Sequence, residues 1–135
     1  MSKDTVSLVT VPEWPRPDGY ANGAIGQGRV LHVAGQIAMT PDGVVFDEDG
    51  LAGEVGQALA NVLAVVRAAG GGPEHIASMT IYVTDAQAYR QAGEAIGAVW
   101  RRQMGKHFPA MAVIGINNLY EHGANVEICA VAYLP

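Results

Sequence analysis

The sequence predicts an α+β fold in which two helices cover one face of a single mixed β-sheet. Two segments of about twenty residues place apolar side chains at helical spacing, whereas six shorter segments alternate or are rich in β-branched residues. Their order is β, ββ, α, β, α, ββ, with no linker or repeat between them. Residues 1–135 are therefore expected to form one domain, in which each helix offers one apolar stripe to the same sheet.

The first strands precede any helix. Residues 5–11 are rich in β-branched side chains and end at Pro12, and the three prolines of residues 12–18 exclude regular structure. Residues 23–27 and 29–37 are predicted to pair as a hairpin hinged at the glycines of residues 26–28.

The two helices have recognisable ends. The first is predicted over residues 51–69, after a loop at 44–50 with Asp49 as its N-cap, and Gly70 begins the run that stops it. The second is predicted from its N-cap Asp85 to residue 104, where Gly105 ends it.

The remaining strands are predicted at residues 76–84, 110–116 and 124–133. Their side chains are largely apolar on both sides, so the face away from the helices needs a cover. Either the sheet closes on itself, or it packs against other copies of the chain.

Charge and composition exclude several classes of protein. The net charge is −5, and the only cationic cluster, Arg101, Arg102 and Lys106, complements the dipole at the end of the second helix. Nucleic-acid binding is therefore disfavoured. No segment has the character of a signal peptide or a membrane span, which makes the cytoplasm the expected location.

Familiar catalytic and metal motifs are not found. The single cysteine, Cys129, lies in an apolar strand and has no basic neighbour, so it is interpreted as a buried thiol. The four histidines, at positions 32, 75, 107 and 122, lack the short spacings of metal ligands, and no metal site is expected. The glycines at 23, 26 and 28 do not precede a helix and are read as turns, not as a phosphate loop.

Glu127 is the residue that calls for an explanation, because it lies in the middle of the apolar strand VEICAVA. A carboxylate in such a strand needs a partner or a function. It either pairs with a basic residue at a subunit edge, or it positions a water molecule in a pocket. The residues alone leave both interpretations open.

Several short motifs, taken in order, resemble the RidA/YjgF family over nearly the whole chain. They are GYANG at 19–23, AGQ at 34–36, IYVTD at 81–85, PAM at 109–111 and VEICAVA at 126–132. The resemblance implies a chorismate-mutase-like fold and a homotrimer whose sheets form a central barrel. It also implies small-molecule sites in the clefts between subunits, and hydrolysis of enamines or imines such as 2-aminoacrylate without any cofactor.

The resemblance implies roles for matching positions. Tyr20 matches the tyrosine that borders the pocket, Gly35 the glycine whose backbone approaches the ligand, and Glu127 the glutamate that holds the hydrolytic water. Tyr20 and Glu127 are thus the expected catalytic residues. The expected substrate-binding residues are Ala34, Gly35, Met111, Val113 and Cys129.

Other positions depart from the family pattern. Met111 stands where an arginine would bind the substrate carboxylate, Ala34 replaces a serine, and Cys129 replaces a second glutamate. Glu54 and Gly93 stand where glutamine and asparagine are usual. Losing a charge-assisted hydrogen bond costs roughly 1.5–3 kcal/mol, so 2-aminoacrylate is not the expected substrate. Arg16 and Arg29 are the arginines nearest in sequence to the pocket segments.

Three functions are compatible with these residues. The first is a RidA-like hydrolase or deaminase for a different reactive enamine, imine or related small metabolite. The second is a ligand-binding or regulatory homotrimer without catalysis, suggested by the lost polar groups. The third is a protein-interaction role, suggested by the apolar composition.

Overall fold

The chain folds into a four-stranded mixed sheet with helices on one face, beside a separate two-stranded ladder. A computed structural model describes residues 4–43, 45 and 48–135, so parts of the predicted loop at 44–50 and residues 1–3 lie outside it. The strands are β1 (Val6–Val9), β2 (Gly23–Gly26), β3 (Arg29–Gln36), β4 (Ile76–Val83), β5 (Ala110–Gly115) and β6 (Val126–Leu134). The α-helices are α1 (Gly50–Ala68), α2 (Ala86–Gln91) and α3 (Gly93–Met104).

The larger sheet has the order β3-β6-β4-β5. The last strand, β6, is antiparallel to both of its neighbours, and β4 and β5 run parallel. The mixed character of the sheet is confirmed, but the prediction of a single sheet is wrong, because β1 and β2 form their own antiparallel ladder.

The predicted hairpin of residues 23–27 with 29–37 is also wrong. Up to Gln27, whose N–H donates to the Thr5 carbonyl at 2.8 Å, the chain follows β1. From Arg29, which lies opposite Leu134, it follows β6. Gly28 makes this change of partner possible, since its φ of +131° and its contact with the Leu134 carbonyl leave no room for a side chain.

The helix layer differs from the prediction in one respect. The segment predicted as one second helix is divided into α2 and α3 at Ala92, so the described residues form three α-helices. The hydrogen bonds from Ala92 N–H to Ala88 O (3.0 Å) and from Ile96 N–H to Ala92 O (2.9 Å) persist around the break. The break is therefore a local change of backbone angle at Ala92, directly before a residue of low helix propensity, Gly93.

The predicted helix caps have different outcomes. The Asp85 carboxylate accepts the Ala88 N–H at 3.0 Å and caps α2 as predicted. Asp49 occupies the N-cap position of α1 but makes no side-chain cap bond, because its backbone is left-handed at φ 64°. Gly105 ends α3 with φ 64°, a conformation that favours glycine.

The core lies between α1, α3 and one face of the sheet. The α1 stripe is almost entirely removed from solvent, and it packs on inward-facing residues of β4 and β6 such as Ile81 and Ile128. In the described part of the chain, no helix is both long and apolar enough to cross a membrane.

The opposite sheet face is more polar than the sequence suggested. Side chains there alternate with the buried ones and are half-buried. On β4 they are Ser78, Thr80 and Tyr82, and on β6 they are Glu127, Cys129, Val131 and Tyr133.

Candidate functional site

A cavity of about 560 Å³ lies between the loop at residues 18–20, helices α2 and α3, and strand β5. Four aromatic side chains line it: Tyr20, Tyr89, Trp100 and Phe108. Met111 and Val113, two positions apart on β5, form part of the same wall. The volume falls within the range of small-molecule sites, and the lining is mainly apolar.

Local hydrogen bonds hold the walls of this cavity. The Trp100 indole N–H donates to the His107 carbonyl at 3.1 Å, and its ring stacks on Phe108 with centroids 6.0 Å apart. His107 Nε2 in turn donates to the Ile76 carbonyl at 2.7 Å, which ties the end of α3 to β4. The Ala21 N–H donates to Pro109 O at 3.1 Å and thereby fixes Tyr20 beside the start of β5.

Met111 has two roles in this wall. It lies opposite Met79 in the β4–β5 register, faces the helix layer and packs on the core. It also lines the cavity beside Tyr20. Burial raises the pKa of the nearby Tyr89 phenol, so Tyr89 brings no charge to the cavity at neutral pH.

Glu127 lies on the opposite face of the sheet from Met111. Its neighbour Ile128 is fully buried under the helices, and successive side chains of a strand point to opposite faces. In the part of the chain that the structure describes, no basic group or hydrogen-bond donor pairs with the Glu127 carboxylate. A half-buried acceptor without a protein partner is available to water.

Gly35 makes room for this carboxylate. The β3–β6 register shifts between Val33 and Gln36, so Ala34 and Gly35 form a bulge opposite Cys129. A Cβ atom on residue 35 would lie 2.8 Å from the carboxyl carbon of Glu127 and closer still to Oε2. Only glycine at this position leaves the Glu127 side chain where it is.

Cys129 shares the Glu127 face of β6. Burial, and secondarily the negative charge of Glu127, raise the pKa of its thiol. The thiol is therefore protonated at neutral pH, as expected for an unreactive cysteine.

Titration of Cys129 should report on Glu127. We expect the pKa of the Cys129 thiol to lie above that of an ordinary cysteine. Glu127→Gln should lower this pKa, because it removes the negative charge that is the smaller of the two causes of the raised value. Because the chain has one cysteine, ¹³Cβ labelling of cysteine gives a single NMR signal to follow against pH. An unchanged pKa in the Gln variant would show that Glu127 does not act on Cys129 as a charge.

A second carboxylate, Glu54 on α1, is only 5% exposed. Its Oε2 accepts the backbone N–H groups of Asn125 at 2.6 Å and Val126 at 3.1 Å, and its Oε1 accepts from Asn125 Nδ2 at 3.1 Å. Glu54 thus anchors the beginning of β6, the strand that carries Glu127. It does not line the aromatic cavity, so it does not affect that cavity's polarity.

Comparison with known proteins decides the family. Residues 15–134 match the family model described as endoribonuclease L-PSP, which is the model of the RidA/YjgF family. The chain belongs to the RidA/YjgF family. The resemblance predicted from the sequence is thereby confirmed.

Two curated relatives cover most of this RidA-family chain. A RutC family protein of Aquifex aeolicus is 31% identical over 124 residues, which are 92% of this chain and 96% of the relative. The human 2-iminobutanoate/2-iminopropanoate deaminase is 26% identical over 125 residues, covering 93% of this chain and 88% of the enzyme.

Solved structures agree on the fold. The Rid family protein YyfB of Yersinia pestis, of unknown function, superposes with a TM-score of 0.84 at 28% identity, covering 96% of this chain and 99% of its own. The YjgF gene product of E. coli gives a TM-score of 0.68 at 26% identity, covering 94% and 98% of the two chains.

The RidA-family residues selected from the sequence fall into two groups. Tyr20, Met111 and Val113 line the aromatic cavity, together with Gly93. Glu127, Cys129 and Gly35 lie together beyond the opposite face of the sheet, with Ala34 beside them in the bulge. One chain does not bring Met111 and Glu127 together, and the roles given to these residues stay predictions.

Sequence reasoning missed Arg101 as a site residue. It was interpreted only as a complement to the α3 dipole, yet it lines the cavity with Tyr20 and Met111. The sequence carries part of the signal, because Arg101 lies eight residues, about two helical turns, after Gly93, which lines the same cavity. This spacing does not say in which direction the long Arg101 side chain extends.

The other two arginines considered have different positions. Arg29 donates to the Pro135 carbonyl at 3.4 Å. Arg16 lines a smaller neighbouring cavity of about 370 Å³ that shares Tyr20 and Phe108 with the larger one. Among residues 4–43, 45 and 48–135, no three His, Cys, Asp or Glu side chains are grouped closely enough to hold a metal ion.

Proposed function

We propose that this chain is a cytoplasmic hydrolase of reactive imines or enamines, acting on a substrate other than 2-aminoacrylate and using no cofactor. The observation that carries the proposal is the Glu127 carboxylate, which has no partner in the described chain and for which Gly35 makes room. The human relative named as an imine deaminase supports the reaction type.

The proposed reaction adds water across a C=N bond. Glu127 accepts a proton from a water molecule as the water oxygen bonds to the imine carbon. Glu127 then gives this proton to the nitrogen, which completes a tetrahedral adduct with one hydroxyl and one amino group. As the C–N bond of the adduct breaks, the hydroxyl proton passes by way of Glu127 to the nitrogen, which leaves as ammonia, and the oxygen remains as the carbonyl of the product. An enamine first takes a proton on carbon and becomes the imine. Tyr20 lies at the cavity wall and is the candidate to orient the substrate.

The complete site is proposed to form between subunits. Met111 and Glu127 lie on opposite faces of the same sheet, so one chain cannot present both to one small molecule. In a homotrimer with inter-subunit clefts, the Tyr20–Met111 wall of one subunit would meet the Gly35–Glu127 face of the next. Such an assembly would also cover the half-buried face of β4 and β6.

The identity of residue 111 argues against 2-aminoacrylate. Arginine binds a carboxylate with a bidentate, charge-assisted pair of hydrogen bonds, whereas the thioether of Met111 offers only dispersion. We therefore expect low turnover of three-carbon imino acids and higher turnover of substrates that fill an apolar cavity.

A panel of imines, each generated enzymatically in the assay mixture, tests the proposal. The panel contains 2-aminoacrylate, an aromatic imino acid made from phenylalanine by an amino-acid oxidase, and a carboxylate-free imine made by an amine oxidase. We expect the chain to accelerate ammonia release from at least one of the larger imines, and Glu127→Ala to lower the accelerated rate about a hundredfold or more, leaving a measurable residual rate. No acceleration with any substrate, or an unchanged rate in the variant, would contradict the proposal.

The variant Met111→Arg tests whether residue 111 determines the specificity against 2-aminoacrylate. It restores a bidentate donor, so kcat/KM for 2-aminoacrylate should rise about tenfold or more. Met111→Leu, which keeps the volume without adding charge, should leave that value unchanged.

A second candidate function is a ligand-binding trimer without catalysis. The aromatic walls and Met111 favour it, because they make the cavity suited to binding an apolar compound. Saturable binding of a small molecule, with no ammonia release from any imine of the panel, would select this function instead.

A further inference from the structure

Arg101 places a positive charge on the wall of the aromatic cavity. It belongs to the last turn of α3, and its guanidinium is folded back along the helix over Gly97. A Cβ atom on Gly97 would lie 3.3 Å from Arg101 Nη1, so the side chain extends toward the helix N-terminus. This direction puts the charge beside the cavity and not beyond the end of the helix.

The guanidinium has no partner in the part of the chain that the structure describes. No carboxylate among the described residues lies within ion-pair distance of Arg101, and no carbonyl of those residues accepts from it. Asp18 contributes a carboxylate to the same lining but forms no ion pair with Arg101. All five N–H donors of Arg101 are therefore available to a ligand.

The rest of the lining sets the size and chemistry of such a ligand. The cavity holds about 560 Å³ and is walled by Tyr20, Tyr89, Trp100 and Phe108. A three-carbon acid would leave most of this space empty, whereas an aromatic ring would contact several of these side chains. Arg101 comes from the helix layer and Met111 from the sheet, so an anion bound by Arg101 is held beside the helix.

We propose that Arg101 binds the carboxylate of the ligand, and that the cavity selects carboxylic acids with an aromatic or bulky apolar body. The proposal names the substrate class of the hydrolase site described above, and in that sense it rests on the proposed function. The cation that binds the carboxylate would thus come from helix α3, and not from the position on strand β5 that Met111 occupies. The guanidinium fork suits a carboxylate because both are planar and bidentate.

Binding of three related probes tests this inference without any catalytic step. The probes are 3-phenylpropionate, its uncharged amide 3-phenylpropanamide, and propionate, which lacks the ring. By titration calorimetry at low salt, we expect 3-phenylpropionate to bind about tenfold more tightly than either of the others. Its affinity should fall as ionic strength rises, because Arg101 is exposed.

Arg102 provides a matched control for Arg101. Both lie in the last turn of α3 and lose the same interaction with the helix dipole when neutralised, but Arg102 does not line the cavity. Arg101→Gln should weaken 3-phenylpropionate about tenfold and leave the amide unchanged, whereas Arg102→Gln should bind as the native chain does. Thermal unfolding of the two variants checks that they are equally folded.

Several results would overturn the inference. These are equal binding of acid and amide, equal affinity in the Arg101→Gln and Arg102→Gln variants, loss of binding on Arg16→Gln alone, or no binding of any probe. The outcome is separable from that of the proposed function. Arg101-dependent binding without ammonia release would contradict the hydrolase alone, and ammonia release unaffected by Arg101→Gln would contradict this inference alone.

Discussion

Replacing Gly35 with alanine should reduce imine hydrolysis about a hundredfold or more, the lower end of the loss expected when a general base is displaced. The new methyl carbon would occupy the place of the Glu127 carboxylate, so that side chain must change rotamer. The overlap involves the end of a flexible side chain, and the Gly35 backbone lies outside the left-handed region. Stability should therefore change by no more than about 1 kcal/mol.

A double-mutant cycle separates this effect from general damage. If Gly35 acts only through Glu127, then Gly35→Ala combined with Glu127→Ala should be no less active than Glu127→Ala alone. Initial rates of ammonia release and urea unfolding midpoints should be measured for all four chains. A further loss of activity in the double variant, or a fall in the unfolding midpoint that parallels the activity, would contradict this role of Gly35.

Replacing Glu54 with alanine should lower the free energy of unfolding by about 3 kcal/mol, since two backbone N–H groups lose their acceptor. Val126, one of the two, is fully buried and has little access to water as a substitute. For a chain of this size, the melting temperature should fall by about 10 °C. The change is measurable by urea or thermal unfolding followed by circular dichroism.

Glu54→Gln is the control for this prediction. Its amide oxygen can accept both backbone N–H groups, and a rotation of the Asn125 amide can present an acceptor to its NH₂ group. We expect a cost of about 1 kcal/mol or less. An equally large loss in both variants would show that the charge of Glu54, and not its hydrogen bonding, stabilises the start of β6.

Local sequence patterns predicted the elements well but not their partners. The stripe of α1, the cap at Asp85 and the alternation of β4 depend on residues close together in the chain, and each matched the structure. The hairpin prediction failed because pairing is not local. Residues 29–36 pair with a strand about a hundred positions away, and no pattern within residues 23–37 contains that information.

The residues of the candidate site were likewise predictable only where the prediction depends on neighbours in the sequence. Period-2 alternation assigns Met111 and Val113 to one face of β5, and both line the cavity. The same alternation, applied to Ile128, places Glu127 on the face away from the helices. Arg101 was not predicted because the direction of a long side chain at a helix end depends on the surfaces around the helix, which its own sequence does not describe.

The position of β6 in the sheet has a consequence for synthesis of the protein. This strand lies between β3 and β4 and is the last of the six to leave the ribosome. Until residues 126–134 emerge, β3 has no neighbour in the larger sheet and the apolar stripe of α1 lacks part of its covering. The domain therefore completes its folding after translation of β6, and a nascent chain halted earlier would expose unpaired strand edges to chaperones or to aggregation.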